Sequence, residues 1–242
     1  MRVLDLVLPP ACASCSAPGW PLCPPCTDQV GVVTPPWCAR CGRPWEEALA
    51  SCADCPPPSV DRARSPFLYD GPLARAIRGM KFSGWHALGP HLAGAMAEVA
   101  PDVLPAGVVT WVPLSRRRRS RRGFDQAEVI ARSVGARLDL PVVPLLRRVR
   151  ETGAQARRSG ADRRRALMDA FQAVHDEAPE TVLLVDDVLT TGATAAACAG
   201  TLKRAGVETV HLLTAARSLG GPVPARCLGP RRRGTGEAAR VP

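Results

Sequence analysis

From about residue 60 onward the hydrophobic positions fall into two alternating patterns. Short unbroken apolar runs at residues 108–114, 142–146, 181–185 and 207–215 predict buried strands, with a further short strand at 67–69. Between them apolar residues recur at helical spacing. This predicts a helix through Leu73, Ile77 and Met80, and others over 88–99, 125–138 and 192–204, the last stopped by Gly206. Strands alternating with helices predict an α/β fold, a parallel sheet with helices on both faces. Residues 147–165 break the pattern. They are strongly charged and separate a strand from the next, so they predict a lid that closes over a charged substrate. Residues 1–58 lack either period and are crowded with Pro and Cys, closing on Pro56-Pro57-Pro58. Residues 218–242, rich in Gly, Pro and Arg, predict a disordered basic tail. The expected organisation is therefore a cysteine-rich module at 1–58, an α/β domain at 59–217 and a tail.

Eight of the ten cysteines lie in the first module, as four Cys-x2-Cys knuckles: Cys12/Cys15, Cys23/Cys26, Cys38/Cys41 and Cys52/Cys55. Each knuckle offers two thiolates at one corner, so four of them predict two tetrahedral all-cysteine Zn2+ sites. Sequential pairing is the simplest arrangement, and interleaved pairing also fits. A module this short has little core, so metal binding must supply much of its stability.

Composition narrows the partners. Among 242 residues 46% are hydrophobic and only 4% aromatic, which gives a core of Val, Leu and Ala. No apolar run reaches the roughly 18 residues of a membrane span. Residues 1–10 carry Asp5 and end in Pro-Pro, unlike a secretory signal, so the expected compartment is cytoplasmic. Net charge is +10, and thirty of the 32 basic residues are Arg, a balance suited to phosphates or nucleic acid.

The chemistry concentrates at residues 182–194, Val-Leu-Leu-Val-Asp-Asp-Val-Leu-Thr-Thr-Gly-Ala-Thr. A buried strand ends in two carboxylates, Asp186 and Asp187. A Thr-Gly loop then enters an Ala-rich helix. Unpaired N–H groups and the helix dipole make that entry an anion site, and Gly192 lets a phosphate approach the backbone. The carboxylates accept hydrogen bonds and so suit the hydroxyls of a ribose. No Walker A, GxGxxG, HExxH or GxSxG motif competes. A second strand, ending near Leu114, runs straight into Ser115 and Arg116. Its amides and that arginine are candidates for holding a pyrophosphate. Lys81, after an apolar helix, is a further candidate phosphate contact.

Residues 182–194 resemble the phosphoribosyl-pyrophosphate (PRPP) motif of type I phosphoribosyltransferases. The resemblance implies that Asp186 and Asp187 hold the ribose hydroxyls and that Thr190, Thr191, Gly192, Ala193 and Thr194 cradle the 5-phosphate. PRPP would arrive as its Mg2+ complex. The whole order, zinc ribbons followed by this domain, resembles the ComF family of bacterial competence-associated proteins. The marks are Cys38-Ala39-Arg40-Cys41-Gly42-Arg43-Pro44, Tyr69-Asp70-Gly71-Pro72-Leu73, Met80-Lys81-Phe82-Ser83-Gly84, Val112-Pro113-Leu114-Ser115 and Arg122-Gly123-Phe124-Asp125-Gln126-Ala127. Thr152, Gln155, Arg163 and Ala170-Phe171 resemble the family's lid segment, which makes Arg163 a candidate lid contact. The chain departs from the family at Asp125 and Ala166, where Asn is usual, and Thr190 stands where hypoxanthine-type enzymes carry an acid. Two readings follow. One is transfer of a 5-phosphoribosyl group from PRPP to a nitrogen nucleophile. The other is a non-catalytic PRPP sensor or scaffold in DNA uptake, binding single-stranded DNA or uptake proteins.

Overall fold

The computed structural model describes residues 11–82, 87–103, 105–150, 166–174 and 178–220, except for the side chains of Lys81, Phe82 and Asp102. The expectations for Thr152, Gln155, Arg163, the residues 151–165 of the lid and the tail beyond residue 220 lie outside these.

The expected parallel sheet is present. Its path runs β1 (Arg62–Arg64), β7 (Thr209–Arg217), β6 (Thr181–Leu189) and β3 (Val108–Trp111), with β2 (Phe67–Leu68) also paired to β7. Every pairing in it is parallel. The central strands are buried on both faces. Leu183 and Val185 join one core with Ile77, Met96 and Ile130, whereas Val182 and Leu184 join another with Cys198, Leu202 and Leu212. Alternate side chains point to opposite faces of a strand, which is why an unbroken apolar run marks this position. The first face is covered by α2 (Gly71–Phe82), α3 (Leu88–Val99) and α5 (Gln126–Leu138), and the second by α6 (Ala193–Arg204).

Three elements differ from expectation. The strand placed at 142–146 is β4 (Leu146–Arg148), and it pairs antiparallel with β5 (Phe171–Ala173) in a separate two-stranded ribbon. Val142 instead makes a lone bridge to Val109, so the apolar run is spent closing the sheet edge. The basic segment after Ser115 forms a helix, α4 (Arg116–Arg122), which the hydrophobic pattern does not predict. Arg is a good helix former, Ser115 caps the start and Gly123, at φ 77, ends it in the left-handed region. Strand β1 has only Ala63 and Arg64 buried among three residues, too short a pattern to detect.

The cysteine-rich module contains a one-turn helix, α1 (Pro24–Thr27), and several isolated bridges. It is not a free appendage. Ala13 and Val30 belong to the same core as Leu73, Ile77 and Met80, and Val32 bridges Phe67 of β2.

Candidate functional site

The knuckles come together in sequential pairs. Cys12, Cys15, Cys23 and Cys26 form one tetrad, and Cys38, Cys41, Cys52 and Cys55 the other, the sulfurs of each lying within 4.8 Å of one another. Four thiols and no other donor are the ligand set of a structural zinc. Backbone N–H groups already serve the sulfurs: Ser14 donates to Cys12 Sγ at 3.4 Å and Cys52 to Cys55 Sγ at 3.3 Å. Burial disfavours the Cys12 thiolate, but backbone donors outweigh it and bring the pKa to about 6, whereas burial pushes Cys26 up to about 12. Sulfurs this close cannot all ionise without a cation among them, which is the charge a Zn2+ would bring.

Strand β6 carries the two carboxylates to different places. Asp186 lines a small cleft with Thr190, Gly192, Ala193, Thr194 and Thr214. Its Oδ1 accepts a hydrogen bond from the Asp187 N–H at 2.8 Å. Asp187 is 5% exposed and faces α5, where its Oδ2 accepts from Gln126 Nε2 at 3.3 Å. Gln126 Oε1 in turn accepts from the Arg122 guanidinium at 2.9 Å. Period-2 alternation along a strand produces this divergence. The loop then turns at Gly192, whose φ of 72 is left-handed and whose carbonyl accepts the first bond of α6, from Ala196. A Cβ there would lie 2.8 Å from the Pro56 Cβ, so the turn requires glycine for both backbone and space. Thr190 and Thr191 are exposed, and Thr191 Oγ1 accepts from the Ala193 N–H at 3.4 Å.

A larger cavity of about 730 Å³ opens beyond the carboxyl end of β3, the neighbour of β6. Its walls include Arg116, Arg117 and Arg119 from α4 and Arg147, Arg148 and Arg150 from the β4 region. Three of these have acidic or aromatic company: Arg119 meets Glu128 at 3.2 Å, Arg150 meets Asp169 at 3.9 Å and Arg148 lies 5.2 Å from the Phe171 ring centroid. Ser115 Oγ accepts from the Arg118 N–H at 3.4 Å and so caps α4. The Leu114 N–H donates to Asp125 Oδ2 at 2.8 Å and is therefore engaged within the chain. Asp125 is 2% exposed. Burial raises its pKa, against the pull of the Leu114, Glu128 and Ala127 amides. As N-cap of α5 it should matter for stability: Asp125→Ala is expected to cost about 1–2 kcal/mol in urea unfolding. An unchanged unfolding midpoint would contradict that role.

Two family matches in the sequence cover the cysteine tetrads and the Asp186 cleft. Residues 3–56 match the double zinc ribbon domain and residues 120–226 the phosphoribosyl transferase domain. Competence protein F of Haemophilus influenzae is 32% identical over 180 residues, an alignment covering 69% of this chain and 78% of that protein. The chain belongs to the ComF family. DNA utilization protein YhgH of Salmonella typhi is 33% identical over 181 residues, and that of Escherichia coli K12 31% over 180, with the same shares covered.

The structure of this ComF-family chain gathers Asp186, Thr190, Gly192, Ala193 and Thr194 at one cleft, and Leu114, Ser115 and Arg116 at another. Asp187 joins neither wall. Lys81 lies in the last turn of α2, and its side chain is outside the described residues, as is Arg163. Three residues have parts that the sequence does not spell out. Gln126 and Arg122 link Asp187 to α4, and the sequence marks them only as members of the motif at 122–127. Arg217, at the end of β7, is 3% exposed and donates from Nη1 to the Cys41 carbonyl at 2.5 Å. Nothing in its local sequence marks it. Among the described residues no helix is long and apolar enough to cross a membrane.

Proposed function

We propose that this chain binds PRPP with its Mg2+ and is a phosphoribosyltransferase-type protein that transfers the 5-phosphoribosyl group to a nitrogen nucleophile. The observation that carries the reading is the continuity of one segment. Strand β6 delivers Asp186 into a cleft, and six residues on a left-handed glycine opens the twelve-residue helix α6. Asp186 oxygens accept from ribose hydroxyls, and Asp187 acts through Gln126 to hold α5. The first-turn amides of α6 and the hydroxyls of Thr190, Thr191 and Thr194 receive the 5-phosphate. Arg116, with Ser115, faces the pyrophosphate, since the Leu114 amide is already engaged. In transfer the anomeric C–O bond breaks, a C–N bond forms and pyrophosphate leaves. The chain's part is positioning and charge stabilisation. Mg2+ bound to PRPP would neutralise part of the leaving group's charge. Calorimetric titration with PRPP and Mg2+ should give one saturable site per chain, and a nucleobase panel should release pyrophosphate. No heat at millimolar PRPP would remove the reading.

The arginine-lined cavity favours a second reading beside it. Proteins named for competence and DNA utilization are similar over 69% of this chain. We propose that the α4 arginines hold phosphates of single-stranded DNA, in a non-catalytic or additional role in DNA uptake. Changing Arg117, Arg118 and Arg119 to Gln should reduce the log–log salt slope of DNA binding by about 0.7 for each contact removed, roughly 2 in all. An unaltered slope would assign the run another purpose. The working division is a zinc module at 1–58 and a transferase-like unit at 59–217. Zinc-binding cysteine tetrads suit the reducing cytoplasm.

A further inference from the structure

The second cysteine tetrad lies against the proposed phosphate loop on two sides, whereas the first makes no such contact among the described residues. On one side Pro56, next to the ligand Cys55, packs on Gly192, and Ser59 Oγ donates to the Ala196 carbonyl at 3.0 Å, inside the first turns of α6. Arg40, between Cys38 and Cys41, donates from Nη2 to the Pro56 carbonyl at 2.8 Å and so fixes that wall. On the other side stands Arg217. It pairs in register with Leu189, the residue before Thr190, and the next N–H, of Ser218, donates to the Leu189 carbonyl at 2.8 Å. Its guanidinium donates to the Cys41 carbonyl, with both terminal nitrogens 4.0 Å from Cys41 Sγ. Its Nε has no partner among the described residues. The first tetrad, by contrast, faces α2 and α3, through Ser14 with Arg75 and Trp20 with His91.

A tetrathiolate zinc carries a net charge of about −2, and a buried cation beside one of its sulfurs offsets part of it. Donors around metal-bound sulfurs orient the ligands and slow their loss. The geometry points to Arg217 as a positioning residue that joins the second zinc centre to the phosphate loop, so that metal held by Cys38, Cys41, Cys52 and Cys55 and anion held at residues 190–194 stabilise each other. That the anion is PRPP rests on the reading above. The brace itself does not.

Two measurements on the full zinc-loaded chain test it. The first is hydrogen exchange at residues 190–196. The second is zinc release to a chromogenic chelator, with and without PRPP and Mg2+. Arg217→Met should raise exchange in that segment at least tenfold and speed release of one of the two zinc ions by a similar factor. Arg217→Lys should restore part of both, since it keeps the charge. Pro56→Gly leaves the guanidinium in place but removes the wall, and it too should raise exchange at 190–196. In chelator competition brought to equilibrium, PRPP should tighten the same zinc ion by the factor by which that zinc tightens PRPP, because coupling between two binding equilibria is reciprocal. Unchanged exchange and unchanged zinc release in Arg217→Met would overturn the brace. Altered exchange and release with no effect of PRPP would leave the brace standing and count against PRPP as the ligand.

Discussion

Removing zinc from the full chain is expected to unfold the cysteine-rich module and lower Tm by about 10 °C or more. Structural zinc in small modules is worth on the order of 10 kcal/mol per ion, and each kcal/mol shifts Tm by roughly 2–4 °C in a chain of this size. Even a fraction of the metal's contribution is therefore visible. The module has little else to stand on, for its own buried cluster is Cys12, Cys23 and Cys26 with Leu22 beside it. The effect should not stop at residue 58. Ala13 and Val30 pack in the core of α2 and α3, so loss of the ribbons opens that face of the domain. Elemental analysis of protein purified without added metal should give two zinc ions per chain, and calorimetry with a strong chelator should show the fall. Metal-free protein with an unaltered transition would overturn both tetrads as structural centres.

The second large effect concerns the carboxylates. Replacing Asp186 and Asp187 together by Ala should weaken PRPP binding at least tenfold, about 1.4 kcal/mol, by calorimetry. The two single changes should differ in kind. Asp186→Ala removes an acceptor from the cleft and should act on affinity while leaving stability nearly as it was. Asp187→Ala strands the amide of Gln126 in a buried position and takes away a charge that faces Arg122. It should therefore lower stability as well, and reach the ligand through α4 and α5. A well-folded double variant with full affinity would dissociate the motif from PRPP.

Much of this fold follows from local chemistry that a sequence displays. Helix α3 occupies the expected 88–99, because its apolar stripe is regular, and α5 begins just after Asp125, a side chain that accepts from two first-turn amides. The motif strand is recognisable since both its faces are buried, and Gly192 because only glycine suits its backbone. What was hidden depends on partners distant in sequence. Leu146–Arg148 became a strand because Phe171–Ala173 lay alongside, not through its own pattern. The paired carboxylates look equivalent in the sequence, yet one pleat sends Asp186 to the cleft and Asp187 to Gln126 of α5. The basic run at 116–122 has no apolar period of its own, and its helix is defined by the flanking Ser115 and Gly123. Arg217 was invisible, since its meaning lies in a cysteine 176 residues away.

Strand β7 has a consequence for the nascent chain. It lies between β6 and the pair β1 and β2, so strands completed early wait for the last one: Ser65 meets Thr214, 149 residues later. While the ribosome is still adding residues 70–208, β1 and β2 have no edge to join, and the metal-bound knuckles sit beside an open sheet. Contacts this distant form late and slowly. The N-terminal cysteines can thus capture metal long before the loop at 190–194 has a floor, and a chain stalled before residue 209 would carry zinc with no completed cleft beneath it.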